Sequence, residues 1–145
     1  MSRIPQRRLL DMEKESGIFI GLHLETSVWF TVLAWIVPVG IFVQFLNAGL
    51  GLFFNKQLLV PHSVIGKSLS LPVVGLLVSA LLIPRLRSFL WRAVAVLALY
   101  LVQVGLAIGS TPMLLSLHPA NAALLLMASL LLLVRIEHRR TAAPA

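Results

Sequence analysis

Cysteine is absent from the 145-residue chain, and its absence removes several classes of protein at once. Without thiols the chain can form no disulfide, no thiolate-bound metal site, no iron–sulfur cluster and no covalent c-type haem attachment. Histidine is then the one side chain left that binds iron strongly.

Charged residues are also scarce. They make up 12% of the chain against 59% hydrophobic residues, and the mean hydropathy of +0.96 lies far outside the range of soluble domains. The composition therefore predicts an integral membrane protein. A spanning helix needs roughly 20 apolar residues, so the chain has room for one domain of about four spans.

Acidic residues are few, and the resulting net charge of +7 could indicate a nucleic acid partner. The placement of the basic residues indicates membrane topology instead, because ten of the twelve fall on one side of the predicted spans. We therefore expect no nucleic acid partner, and we expect both termini in the cytoplasm. The ten residues are Arg3, Arg7, Arg8, Lys14, Arg85, Arg87, Arg92, Arg135, Arg139 and Arg140.

The predicted fold is an all-α, antiparallel up-down bundle of four transmembrane helices, since short connections make neighbouring helices antiparallel. Residues 1–26 read as a cytoplasmic amphipathic helix at the membrane interface, and residues 137–145 as a disordered cytoplasmic tail. The membrane domain covers residues 27–136. Its four spans are predicted at about 27–54, 63–83, 89–108 and 119–136, the last beginning with Pro119 in its first turn.

A Val-Gln pair followed by a histidine beside a proline occurs twice, which indicates two helix-pair repeats. The copies are Val43-Gln44 with Pro61-His62, and Val102-Gln103 with His118-Pro119. This order puts both histidines at the outer ends of the second and fourth helices, which are diagonal partners in an up-down bundle. Two imidazoles placed in this way can hold one flat macrocycle between them, as bundle cores often do.

Each of these residues also has a less specific interpretation. Either histidine alone could be a solvated residue at the membrane boundary. Gln44 and Gln103 could hold an imidazole N–H, a haem propionate or a quinone oxygen, or could simply join helices. Gly66 and Ala122, one turn beyond the histidines, leave space for a porphyrin, although small residues also allow close helix packing. Lys67 could pair with a propionate.

The second repeat, from Tyr100-Leu101-Val102-Gln103 to His118-Pro119-Ala120-Asn121-Ala122, resembles the half-repeat of the haem A synthase family. The chain also resembles, over nearly its whole length, an uncharacterised bacterial family of small four-helix membrane proteins. The resemblance implies a bacterial inner membrane protein whose His62 and His118 are the axial ligands of a haem b. Haem A synthases carry additional histidines and an acidic residue at their catalytic site. The predicted outer half here has two histidines and no acid, so catalysis is not implied.

These features predict a protein that binds one haem b near the outer face and acts in electron transfer, alone or as a subunit of a larger redox complex. Two histidine ligands fill both axial positions, so a carrier or accessory subunit is expected rather than a catalyst. The lipid bilayer is the expected surrounding; quinone and other subunits are candidate partners. The alternatives are a cofactor-free structural subunit and a bundle that holds another tetrapyrrole, such as a chlorophyll on one histidine.

Overall fold

The computed structural model describes residues 28–109 and 111–141, and this part of the chain is helical with short connections. It contains four helical segments long and apolar enough to cross a membrane, Val28–Phe53, Lys56–Leu82, Pro84–Ile108 and Pro112–Thr141. Four membrane-length helices were predicted, and they are confirmed. The predicted interfacial segment at residues 1–26 lies outside the described residues, as does the end of the tail.

The first segment is helix α1 (Val28–Phe53). The second comprises a short 3₁₀ helix (Lys56–Leu58), α2 (Leu59–Ser68) and α3 (Ser70–Leu82). The third comprises a 3₁₀ helix (Pro84–Phe89) and α4 (Leu90–Ile108). The fourth is α5 (Pro112–Thr141).

A proline explains the interruption between α2 and α3. Pro72 has no N–H to donate to the carbonyl of Ser68, and its ring crowds that carbonyl, so the helix is broken one turn earlier, at Leu69. The chain direction is kept, because Leu69 N donates to Ile65 O at 3.1 Å and Val73 N donates to Leu69 O at 3.2 Å. The two pieces therefore act as one long segment.

The packing partners put the second and fourth segments opposite each other. Helix α1 packs against α2, α3 and α5, while α4 packs against α3 and α5. Each segment thus packs mainly on its neighbours in sequence, and the first packs on the fourth. This order matters for function, because it brings α2 and α5 to facing positions.

The apolar core is concentrated at one end of the molecule. We call this the arginine end, after the basic residues in its segments 28–37, 76–96 and 132–141; the histidine end comprises residues 42–68 and 101–120. Among the described residues of the histidine end, Gly51 is the single buried one. Buried core side chains of the arginine end include Phe30, Val37, Leu76, Leu86, Phe89, Val96, Leu132 and Ile136.

The second and fourth segments begin earlier than the sequence predicted, at Lys56 and Pro112 rather than at residues 63 and 119. Local caps explain both starts. Asn55 Oδ1 accepts a hydrogen bond from Gln57 N at 2.9 Å, and Thr111 Oγ1 accepts one from Leu114 N at 3.3 Å, with Pro112 at the favoured first position. The histidines therefore lie inside helices and not at their first residues.

The fourth helix also continues further than predicted. Residues 137–141, which we expected in a disordered tail, belong to α5. Glu137 accepts a hydrogen bond from Trp35 Nε1 of α1 at 3.0 Å, and Thr141 Oγ1 donates to Glu137 O at 3.2 Å. These bonds give the last turn partners that a solvated tail would lack.

Candidate functional site

His62 and His118 lie next to each other at the histidine end. His62 is in α2 and His118 is in α5, the two elements that face each other across the molecule. Their ring centres are 6.3 Å apart, and the ring planes are inclined by 57°. Both side chains are half-buried. The two histidines singled out by the repeated pattern are thus brought together, although 56 positions of sequence separate them.

The ring of His62 is oriented by the backbone of α1. His62 Nδ1 lies 3.1 Å from Gln44 O. A carbonyl oxygen can only accept, so Nδ1 carries a proton, and in the neutral ring Nε2 is the nitrogen with the lone pair. This is the arrangement that orients a metal-ligating imidazole and makes it a better donor to the metal.

The side chain of Gln44 adds a second bond between the same two residues. Gln44 Nε2 donates to His62 O at 2.7 Å. The amide also lies directly over Gly66, where a Cβ would be 2.5 Å from Nε2. An alanine at position 66 would therefore force the Gln44 amide to move out of the space between α1 and α2. The other amide atom, Gln44 Oε1, is buried without a hydrogen-bond partner.

His118 is held less firmly than His62. The backbone of Gln103 lies beside its ring, but His118 Nδ1 is buried and completes no hydrogen bond. A buried polar atom without a partner is uncommon and costs free energy. The Gln103 backbone is the neighbour that acts on the His118 ring, as the Gln44 backbone does on His62, but with poorer hydrogen-bond geometry.

Asn121 is a residue of this site that the sequence interpretation missed. Its side chain is 8% exposed, and its Nδ2 donates to Gln103 Oε1 at 2.6 Å and to Leu99 O at 3.0 Å. These bonds tie α5 to α4 and fix the amide of Gln103. The signal was available, because an amide one helical turn beyond a histidine at membrane depth is expected to face other helices.

Tyr100 joins α4 to the backbone beside His62. Its hydroxyl donates to Gly66 O at 3.0 Å and lies 3.3 Å from Lys67 O. The backbone one turn beyond His62 is thus held by Tyr100 as well as by the contact with Gln44. Of the other predicted residues, Lys67 is exposed and Ala122 is half-buried beside Asn121.

The spacing of the two rings fits a shared metal atom. A metal–nitrogen bond of about 2 Å, with about 1 Å more from nitrogen to ring centre on each side, puts two trans imidazole centres about 6 Å apart. The observed 6.3 Å agrees with this value. Among residues 28–109 and 111–141, no group of three or more His, Cys, Asp or Glu side chains could hold a metal ion.

Comparisons with known proteins identify a partial family match. A family of unknown function, DUF6220, matches residues 44–112. The matched region begins at Gln44, contains His62 and Gln103, and ends at the first residue of α5, before His118. No curated protein and no solved structure matches the chain.

Proposed function

We propose that this chain is a membrane protein that binds one haem b between His62 and His118 and takes part in electron transfer, alone or as a subunit of a larger redox complex. The observation that carries the proposal is the 6.3 Å separation of two imidazole rings contributed by facing elements.

The proposal includes a topology. The four segments form an antiparallel up-down bundle of two helix-pair repeats in a bacterial inner membrane, with both termini in the cytoplasm. The arginine end then faces the cytoplasm, as the positive-inside rule requires. The histidine end, with the haem site, faces the opposite side of the membrane.

The residues of the site have separate tasks in this proposal. His62 and His118 would hold the iron, His62 through Nε2 because its Nδ1 is bonded to Gln44 O. Gln44 and Gln103 hold the helices on either side of the site. Asn121 fixes Gln103 through the 2.6 Å bond between their amides. Lys67, exposed on α2, would be available to pair with a propionate.

Packing supports the choice of this end for a large flat group. The histidine end has almost no buried apolar side chain among its described residues, whereas the arginine end is closely packed. Close packing contributes most of the stability of a membrane bundle. The histidine end is held instead by polar contacts between helices, and the proposed haem would lie among them.

Haem b supplies one-electron oxidation and reduction when it is bound. With His62 and His118 both holding the iron, the group would supply electron transfer and not oxygen binding. The chain is therefore proposed as an electron carrier or cofactor-bearing subunit and not as a catalyst. Quinone, which is dissolved in the bilayer, and neighbouring redox subunits are the partners that fit this role.

A cofactor-free structural subunit is the second candidate. It is favoured by the contact between Gln44 Nε2 and Gly66, because the amide already uses the space that Gly66 provides. In this alternative the glutamines and Asn121 serve only to join helices.

The visible spectrum of the purified protein, with and without dithionite, tests the proposal. We expect a reducible b-type spectrum at one haem per chain, lost in His62→Ala and in His118→Ala. His138→Ala is the matched control, since His138 lies at the arginine end, and it should keep the spectrum. A colourless, folded wild type would favour the structural subunit, and a pigment that survives one of the two substitutions would indicate another tetrapyrrole held by a single histidine.

A further inference from the structure

An apolar groove runs along the surface between α1 and α5 at the arginine end. Its volume is about 430 Å³. Trp35 of α1 lines one side. The other side is lined by residues of α5, namely Leu130, Leu133, Val134, Glu137, His138 and Thr141. The α5 residues recur at intervals of three and four, so they form one continuous stripe of the helix.

The α5 side of the groove offers an apolar surface for a hydrocarbon chain. From Leu130 to the end of α5 at Thr141 the helix rises roughly 16 Å. The stripe is apolar toward the middle of the helix and polar at its last turn. An amphiphile lying along it would have its tail against Leu130 and Val134 and its polar group beside His138.

Positive charge is concentrated where that polar group would lie. Arg139 and Arg140 follow His138 directly, and Arg139 stacks over the ring of Phe89 at 4.9 Å. The carboxylate of Glu137 is the one negative group lining the groove among the described residues, and it already accepts the indole N–H of Trp35 at 3.0 Å.

Arg140 is the cation that can most easily exchange its present partner, Glu137, for a phosphate. Its Nη1 lies 3.4 Å from both carboxylate oxygens of Glu137, longer than the 2.7–2.9 Å of a strong charge-assisted bond. The Arg140 side chain is 48% exposed. An exposed, long ion pair contributes little, so the guanidinium can turn to a phosphate at small cost.

We propose that this groove binds an anionic phospholipid, with one acyl chain between Trp35 and the α5 stripe and the phosphate beside Arg140. The proposal does not depend on haem, because the groove lies at the end of the molecule remote from His62 and His118. Basic sites between membrane helices on the cytoplasmic side are known to select anionic headgroups.

The test uses Trp35 as the reporter. Trp29→Phe and Trp91→Phe leave Trp35 as the single tryptophan of the chain. Indole fluorescence is then measured in nanodiscs that contain brominated phosphatidylglycerol or brominated phosphatidylcholine at the same mole fraction. We expect at least twofold stronger quenching by phosphatidylglycerol.

Charge variants connect the preference to the groove. The ratio of quenching by phosphatidylglycerol to quenching by phosphatidylcholine should fall close to one in Arg140→Gln. Arg140→Lys should keep most of the preference for phosphatidylglycerol, and Glu137→Gln should increase it. Arg92→Gln removes an exposed charge of the same end from α4 and is the matched control, which should keep the preference. Helix content by circular dichroism establishes that each variant is folded.

Equal quenching by both lipids would overturn the proposal, since Trp35 would then be contacting lipid without selection. Weak quenching by both would also overturn it, because the groove would be covered by protein, residues 1–27 of this chain being one candidate. Arg140→Gln and Arg92→Gln could also reduce the preference for phosphatidylglycerol equally. That result would show that the lipid is attracted to the whole basic end, and it would contradict a defined site.

Discussion

Gln44 and His62 are joined by two hydrogen bonds that run in opposite directions. Gln44 Nε2 donates to His62 O at 2.7 Å, and His62 Nδ1 donates to Gln44 O at 3.1 Å. Each residue thus donates a hydrogen bond from its side chain and accepts one at its backbone carbonyl. The pair connects α1 to α2 and fixes the orientation of the imidazole, so the stability of this contact and the position of the ring are expected to change together.

Gly66→Ala should destabilise the protein. The added methyl would lie 2.5 Å from Gln44 Nε2, which would have to move and give up its bond to His62 O. We expect a loss of about 1–3 kcal/mol in the free energy of unfolding, the range for overpacking. Unfolding in a mixed-micelle titration with SDS measures it.

Two further variants make this prediction specific. Gly49→Ala is the control, since a Cβ there has no neighbour within 4 Å, and it should keep or slightly raise stability, because alanine favours the helix. Gln44→Ala combined with Gly66→Ala should lose less than the two single losses added together, because the clash disappears with the amide. Additive losses would contradict the contact.

Asn121 and Gln103 should be energetically coupled. Their amides are bonded at 2.6 Å in a region where competing water is scarce. A double-mutant cycle with Asn121→Leu and Gln103→Leu should give a coupling free energy of roughly 0.6–1.7 kcal/mol, the range measured for hydrogen bonds between membrane helices. A double-mutant cycle of Asn121→Leu with Gln44→Leu is the control and should give no coupling free energy.

Tyr100→Phe should cost about 1 kcal/mol of stability, since the ring stays and the hydroxyl bond to Gly66 O is lost. That bond lies one turn beyond His62, so the variant should also bind haem more weakly than wild type in a haem-transfer assay. If Tyr100→Phe is as stable as wild type and retains haem equally well, the Tyr100 hydroxyl does not hold the backbone beside His62.

His118→Gly should be rescued by free imidazole. The substitution leaves a space beside His62 that a small ligand can enter, and imidazole should restore the six-coordinate spectrum in a saturable titration. His62→Gly is the comparison, because its ring is anchored by Gln44 O and free imidazole lacks the backbone tether. We expect rescue there as well, at higher imidazole concentration. If imidazole changes neither spectrum, the two histidines are not ligands.

The sequence predicted the four long apolar helices because composition and hydropathy alone decide them. It did not predict where the second and fourth begin. Asn55 and Thr111 cap these helices through local hydrogen bonds that a hydropathy pattern does not register. The two helical segments therefore begin earlier than predicted, and both histidines lie within helices.

The repeated pattern predicted that His62 and His118 would meet, and in the structure their rings are neighbours. The roles of the small and polar residues around them were harder to predict. Gly66 was interpreted as space for a macrocycle, yet the Gln44 amide lies over it, and which rotamer an amide adopts depends on tertiary contacts. Asn121 was passed over because it lies outside the Val-Gln and His pattern. Whether the pair holds haem stays a prediction.

The electron paramagnetic resonance spectrum of the oxidised protein tests the central claim most directly, because it reports the axial ligands of the iron itself. With both rings on one iron, the account predicts a low-spin ferric signal typical of two imidazole ligands, converted to a high-spin signal in His62→Ala and in His118→Ala. A high-spin wild type, or a low-spin signal that persists in either variant, would contradict it.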